Sequence, residues 1–95
     1  MEDVVELAAI LKILSDPTRL RLIRLLGEHQ GSLCVNALAH KLGVTQSAVS
    51  QHLRVLRGAE LVHGDRQGYR VHYSLNAARV AQAQELLSGA LGQDP

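Results

Sequence analysis

The sequence predicts a mainly α-helical domain that carries one small β-hairpin. Apolar residues recur at helical spacing in five segments of the 95-residue chain. Two of these segments are separated only by a short turn at Gly43, and Gln67-Gly68 lies between two runs of strand-forming residues. With 46% hydrophobic and 20% charged residues, the composition is that of a folded protein, and the length fits one domain over residues 1–95.

The first helix is predicted over residues 4–14, "VVELAAILKIL". Its apolar stripe consists of Val4, Leu7, Ala8, Leu11 and Leu14, flanked by Val5 and Ile10. This is more apolar surface than one small core needs. Part of it is therefore expected to contact something outside the core.

A second helix is predicted at "SDPTRLRLIRLLG". Ser15 or Asp16 is expected to be its N-cap and Pro17 its first residue, and Gly27 lies near its end. The side chains expected in the core are Leu20, Ile23 and Leu26, and those expected in solvent are Arg19, Arg21 and Arg24.

A third and a fourth helix follow with a tight turn between them. A short extended piece around Ser32 and Leu33 leads into the third helix, which ends at Gly43, and the fourth begins at Val44-Thr45. The inner stripe of the third helix is Val35, Leu38, Ala39 and Leu42. This spacing lets the second helix of the pair lie across the first and enter a DNA major groove.

The fourth helix, "TQSAVSQHLRVLRGA", has an apolar side and a polar side. Its expected core residues are Ala48, Val49, Leu53 and Leu56. Short amides, hydroxyls and an arginine on the other side suit the edges of base pairs, although an ordinary solvated helix face has the same composition. The predicted DNA-binding residues of this helix are Thr45, Gln46, Ser47, Ser50, Gln51, His52 and Arg54.

The segment "LVHGDRQGYRVHYSL" predicts a β-hairpin. Gln67-Gly68 is expected to form its two-residue turn, because glycine accepts a positive φ. A basic hairpin beside a groove-entering helix is a wing, and its cations contact the sugar-phosphate backbone. Arg66 and Arg70 are the predicted contacts, and the fold expected is a winged helix-turn-helix.

This turn also predicts which side chains face one another across the hairpin. Asp65 is expected opposite Arg70, and His63 opposite His72. Directly opposed side chains lie close enough to share a metal ion, so one reading of the two histidines is a metal site across the wing. The other reading is that they pack or contact phosphate.

The last helix is predicted from its N-cap Asn76 to about Gly89. Its apolar stripe is Val80, Ala83, Leu87 and Ala90, with Leu86 and Leu91 beside it. Since a winged helix-turn-helix is complete without the first and last helices, we expect their apolar faces to form a two-fold homodimer interface. The predicted interface residues are Leu7, Leu11, Leu14, Val80 and Leu87. Such a dimer reads two half-sites, hence an inverted repeat.

Positive charge is concentrated in the middle of the chain, although the formal net charge is only +1. From Lys41 to His72 there are five basic and two acidic residues, whereas positions 1–30 hold four basic and five acidic ones. The excess thus lies on the predicted helix-turn-helix and wing. The chain has neither Phe nor Trp, so a stacking platform for single strands is missing and double-stranded DNA is the expected partner.

Other functional classes fit the sequence less well. The N-terminus lacks the basic region of a secretory signal, and charges interrupt its apolar run, so a cytoplasmic protein without membrane contact is expected. No nucleophile, base and orienting residue recur at a recognisable spacing, which argues against an enzyme. The remaining alternative is a winged-helix module that binds protein, but such interfaces favour aromatic and aliphatic anchors.

Three segments together resemble the ArsR/SmtB family of bacterial transcriptional repressors. They are "LSDPTRLRLIRLL", "LCVNALAHKLGVTQSAVSQHLRVLRGAELV" and "DRQGYRVHYSL", and the resemblance covers about Leu11 to Asn76. It implies a winged-helix homodimer that occupies operator DNA and represses a nearby gene. It also implies release by an inducer, which in this family is often a metal or metalloid.

The resemblance points to two metal sites, and the sequence departs from both. Thiolate-sensing members carry Cys-Val-Cys at the start of the third helix, where this chain has Cys34-Val35-Asn36, and an amide is a poor ligand for a soft metal. The second site needs histidines on the last helix, and "NAARVAQAQELLSGALGQDP" has none. A metal stays possible, but no cofactor is assigned.

Cys34 is the only cysteine, so the chain cannot form an internal disulfide. Three readings of this thiol stay open. It packs as a small, partly buried side chain at a helix start, or it is a metal or redox ligand completed by Glu2, Asp3 or Glu6 of the partner subunit. In the third reading it is a reactive thiol, because helix N-termini favour the thiolate.

Overall fold

Five helices and three strands are found in the residues that the computed structural model describes, 2–29 and 31–92. The helices are α1 (Glu2–Leu14), α2 (Pro17–Glu28), α3 (Val35–Leu42), α4 (Gln46–Gly58) and α5 (Ala77–Ala90). The strands are β1 (Leu33–Cys34), β2 (Val62–Gln67) and β3 (Arg70–Leu75). The predicted fold class, mainly α with a hairpin, is confirmed. Within the described ranges, no helix is long and apolar enough to cross a bilayer.

The core is built around the inner side of α4. Val49, Leu53 and Leu56 are each 0% exposed, and they pack with Leu22 of α2 and Leu38 of α3, which are also fully buried. Full burial stabilises each such side chain by roughly 1.5–3 kcal/mol. Helix α4 is therefore held rigidly against α2 and α3, and its opposite side faces solvent.

The prediction for the inner face of α2 is partly wrong. Leu22, not Leu20, lies at the centre of the core, and Leu20 is 48% exposed. Two residues correspond to about 200° around a helix, so Leu20 and Leu22 cannot both face inward. Arg19 is also half-buried rather than solvated, because its guanidinium bonds to neighbouring elements.

Local capping sets the two helix starts and the tight turn that position α4. The Asp16 carboxylate accepts hydrogen bonds from the backbone N–H groups of Thr18 (2.8 Å) and Arg19 (3.1 Å), so Asp16 is the N-cap of α2. Gly43 ends α3 with φ +67°, and Thr45 caps α4 by accepting from the Ala48 N–H at 3.1 Å. The predicted helix, turn and helix are confirmed.

The extended piece before α3 adds a strand that was not expected in the sheet. The three strands are antiparallel in the order β1-β3-β2, with Leu33 opposite Tyr73 and Cys34 opposite His72. The hairpin is thus anchored to the start of α3 and is not a free two-stranded ribbon. This anchoring fixes the wing relative to the helix-turn-helix.

The turn of the hairpin lies one residue later than predicted. Gln67 pairs with Arg70, so the central turn residues are Gly68 and Tyr69. Gly68 has φ +68° and Tyr69 does not have a positive φ, which is the requirement of a type II′ turn. A type I′ turn at Gln67-Gly68 would force a positive φ on Gln67 as well.

The strand pairing shifts with the turn. Asp65 lies opposite His72 rather than Arg70, and His63 lies opposite Ser74 rather than His72. His63 and His72 are therefore diagonal neighbours, typically about 7–8 Å apart, and the expected direct facing of the two histidines is wrong.

We expect Gln67→Gly to lower the free energy of unfolding by about 0.5–1 kcal/mol, because Gln67 is a strand residue and glycine weakens a strand. Urea denaturation at one protein concentration measures this change. A turn at Gln67-Gly68 predicts the opposite sign, since glycine would then relieve a positive φ at position 67.

Candidate nucleic-acid interface

The outer side of α4 presents a continuous polar surface. Six of the seven residues predicted on this helix and its cap are exposed: Thr45, Gln46, Ser47, Ser50, Gln51 and Arg54. One side-chain hydrogen bond joins this surface to α3: Gln46 Nε2 donates to Asn36 Oδ1 at 2.9 Å. The start of α4 is thereby tied to the start of α3, and the remaining side chains are available to a ligand.

His52 differs from its neighbours because it is half-buried and bonded to α2. Arg19 Nε donates to His52 Nδ1 at 3.1 Å, and Arg19 Nη1 donates to the Ile13 carbonyl at 3.2 Å. Since a guanidinium can only donate, Nδ1 of His52 is the acceptor of this bond. This contact joins the start of α2 to the middle of α4.

The Asp16 carboxylate belongs to the same corner of the molecule. The backbone N–H of Arg19 lowers its pKa most, and burial, the second-largest effect, raises it. The N–H of Thr18 and the nearby His52 and Arg19 side chains lower the pKa further. Asp16 therefore stays ionised at neutral pH and caps α2.

The two arginines of the wing lie on opposite faces of the hairpin. Arg66 is opposite Val71, and Arg70 is opposite Gln67. Neighbouring strand residues alternate between faces, so the Arg66 face is not the Arg70 face. Both arginines are exposed, and Tyr69 at the tip is 94% exposed. The wing thus carries a cation on either side of its tip.

Helices α1 and α5 pack against each other within the chain and leave an apolar cavity of about 200 Å³ at their contact with α2. All five residues predicted at a dimer interface line it: Leu7, Leu11, Leu14, Val80 and Leu87. Leu7 is buried, whereas Leu11 and Leu87 are 43% and 37% exposed. The apolar surplus inferred from the pattern is thus only partly used inside one chain.

Arg79 of α5 links three elements, a role that no pattern in the sequence indicates. Its Nη1 donates to Glu6 Oε2 of α1 and to Gln82 Oε1, both at 2.7 Å, and its Nε donates to the Ala59 carbonyl after α4 at 3.2 Å. Its side chain is only 17% exposed. The end of α4 is therefore fastened to both terminal helices.

Asn76 completes this fastening. Its Nδ2 donates to the Glu60 carbonyl at 2.8 Å, and its Oδ1 accepts from the Arg79 N–H at 3.2 Å as the N-cap of α5. Glu60 has φ +64°, a conformation that costs a non-glycine residue about 1 kcal/mol. The bond from Asn76 holds the strained turn in which α4 ends.

The start of α3 does not fit the thiolate metal site that the resemblance implies. Cys34 is half-buried, and the Asn36 oxygen, at the position of the second thiolate, accepts from Gln46 of α4. On α5, Asn76 serves as a cap and no histidine is present. In the part of the chain described by the structure, no three His, Cys, Asp or Glu side chains are arranged to hold a metal ion.

A helix pair with a polar outer face on its second helix, followed by a basic hairpin, defines a winged helix-turn-helix DNA-binding domain. The sequence model of the arsR family of bacterial regulatory proteins matches residues 16–63. The chain belongs to this family, and its class is that of the DNA-binding transcriptional regulators.

Individual proteins of known class match over most of the chain. It is 46% identical over 77 residues to the HTH-type transcriptional regulator NmtR of Mycobacterium tuberculosis, covering 81% of this chain and 62% of NmtR. It is 40% identical over 81 residues to the arsenical resistance operon repressor of Escherichia coli K12, covering 85% of this chain and 68% of the repressor. The chain thus spans somewhat less than two thirds of NmtR.

A solved structure also matches. The homodimeric winged helix-turn-helix DNA-binding domain Mb0332 of Mycobacterium bovis, a possible ArsR-family regulator, superposes with a TM-score of 0.73 at 25% identity. The match covers 97% of this chain and 84% of the domain.

We expect Arg79→Ala to lower the free energy of unfolding by about 1.5–3 kcal/mol, because several charge-assisted hydrogen bonds are lost. Arg24→Ala is the matched control, since the Arg24–Glu28 pair is 3.9 Å long with side chains 82% and 67% exposed. Its loss should cost less than about 0.5 kcal/mol. Urea denaturation at one protein concentration compares them, and equal losses would show that Arg79 does not fasten α4.

Proposed function

We propose that the protein is a sequence-specific transcriptional repressor that binds double-stranded operator DNA as a homodimer and is released by an inducer. The observation that carries this proposal is the contrast between the two sides of α4. Its inner side is fully buried, and its outer side is a polar face with short side chains. A rigid helix of this kind can hold hydrogen-bonding groups in register with base edges.

The proposed DNA contacts follow the two exposed elements. On α4 they are Thr45, Gln46, Ser47, Ser50, Gln51, His52 and Arg54. Within this set, Gln46 and His52 are also bonded to α3 and α2, so we assign them a positioning role in addition to contact with DNA. Gln51 is exposed, has no hydrogen bond to another described side chain, and carries an amide that both donates and accepts, so we assign it to reading a base.

Arg66 and Arg70 are the proposed phosphate contacts of the wing. Because they lie on opposite faces of the hairpin, the wing can approach a groove with one cation directed to each side. Phosphate contacts of this kind add affinity for any sequence and make binding depend on salt.

The homodimer is proposed to form through α1 and α5. Support comes from the exposed apolar side chains Leu11 and Leu87 beside the apolar cavity, and from the similar domain Mb0332, which is homodimeric. A two-fold axis through this surface presents two copies of α4 to one duplex, so the operator is expected to be an inverted repeat.

We expect Gln51→Ala and Arg70→Ala to weaken DNA binding in different ways. Loss of a base contact costs roughly 1–3 kcal/mol on the cognate site and little on scrambled DNA. Loss of a phosphate contact weakens both and reduces the salt slope by about one. Fluorescence anisotropy on a duplex selected from a random-sequence pool, and on a scrambled duplex, measures both effects over a salt series.

Arg24→Ala is the control for charge, since Arg24 lies on α2 and is exposed. Equal losses by Gln51→Ala on both duplexes would assign Gln51 to backbone positioning. Failure of the unmodified protein to bind any duplex at low salt would overturn the proposal and favour a winged-helix module that binds protein.

We expect Leu87→Glu to convert the dimer into a monomer, because it places a charge in the proposed apolar interface. Leu20→Glu is the matched control, since Leu20 is similarly exposed but lies on α2 outside that interface. Sedimentation velocity at micromolar concentration should show a dimer for the unmodified protein and for Leu20→Glu. A monomeric unmodified protein would remove α1 and α5 from the assembly.

A further inference from the structure

A polar groove runs between α4 and β3. It consists of two adjoining clefts of about 450 and 570 Å³ that share Ser50 and Tyr73. The first cleft reaches from Gln46 to Arg70 in the wing, and the second continues past Arg54 and Arg57 at the end of α4. The α4 side of the groove is a single helical stripe about 16 Å long, so the groove can follow several phosphates of one strand.

The charge of this groove is entirely positive. Arg54, Arg57 and Arg70 line it, no acidic residue does, and none of the three forms an ion pair within the described ranges. Arg57 is exposed and belongs to no contact set that the sequence predicted. Unpaired arginines along one concave surface favour an anionic ligand that is itself extended.

Tyr73 lies at the middle of the groove and is held there by the sheet. It pairs with Leu33 of β1 and Gly64 of β2. A Cβ at position 64 would lie 3.0 Å from Tyr73 Cε1, so the ring occupies the space that a side chain at Gly64 would fill. In the described part of the chain the Tyr73 hydroxyl has no hydrogen-bond partner, and it is free to donate to an anion.

We propose that this groove seats the sugar-phosphate backbone of one DNA strand, with Arg57 and Tyr73 as phosphate contacts between the major groove read by α4 and the minor groove beside the wing. This inference rests on the proposed function and deepens it. The strand passes over Ser50 and Tyr73, where the two clefts join. Its phosphates then meet Arg57 on one side and Arg70 on the other.

The two contacts predict different salt behaviour. Arg57→Ala removes a charge, so it should weaken binding about tenfold on cognate and scrambled duplexes and reduce the salt slope by about 0.9. Tyr73→Phe removes only a neutral donor, so it should weaken binding about threefold to tenfold and leave the slope unchanged. Anisotropy over a salt series measures both, with Arg24→Ala as the control and thermal melting as the check on folding.

A second measurement locates the contact. Methylphosphonate replaces one phosphate at a time along the strand, which removes its charge. When the phosphate that Arg57 contacts is replaced, the unmodified protein should lose affinity for the duplex. Arg57→Ala should lose no further affinity at that position, because it already lacks this contact.

The outcomes separate this inference from the proposed function. Binding by the unmodified protein with unchanged affinity and salt slope in both variants would overturn the groove assignment and leave the repressor proposal standing. If the loss of affinity caused by Arg57→Ala and the loss caused by the methylphosphonate add up at every position, the Arg57 contact is overturned. Absence of duplex binding by the unmodified protein would overturn both proposals.

Discussion

The complete burial of one side of α4 is the constraint on which the rest of the structure depends. Val49, Leu53 and Leu56 have no exposed surface, and α2 and α3 supply the leucines that cover them. A helix packed in this way cannot rotate about its axis without exposing apolar surface, at roughly 25 cal/mol per Å². The orientation of its polar side is therefore a consequence of the core, not of the polar residues themselves.

Polar contacts fix both ends of α4, and they differ in how far apart their partners lie in the sequence. At its start, Thr45 caps the helix and Gln46 bonds to Asn36, both through residues close in the chain. At its end, Asn76 and Arg79 bond to the turn from the far side of the hairpin. Because Arg79 also bonds to Glu6 of α1, one side chain holds the end of α4 and the contact between the terminal helices.

Much of this fold could be predicted because its signals are local. Helix caps, the glycine that ends α3 and the apolar stripe of α4 each depend on residues within two turns of one another. The position of the hairpin turn was missed because it depends on which of two neighbouring residues accepts a positive φ. The Arg79–Glu6 pair joins residues 73 positions apart, and no periodicity reports such a contact.

The start of α3 shows how one residue can change which contacts a shared fold makes. The resemblance implies a second cysteine at the position of Asn36. In this chain the Asn36 side-chain oxygen accepts a hydrogen bond from Gln46, the first residue of α4. The position is therefore engaged with the proposed DNA-reading helix and is not free to bind a soft metal. One hydrogen bond thus links the starts of α3 and α4 at the position where the resemblance implies a metal ligand.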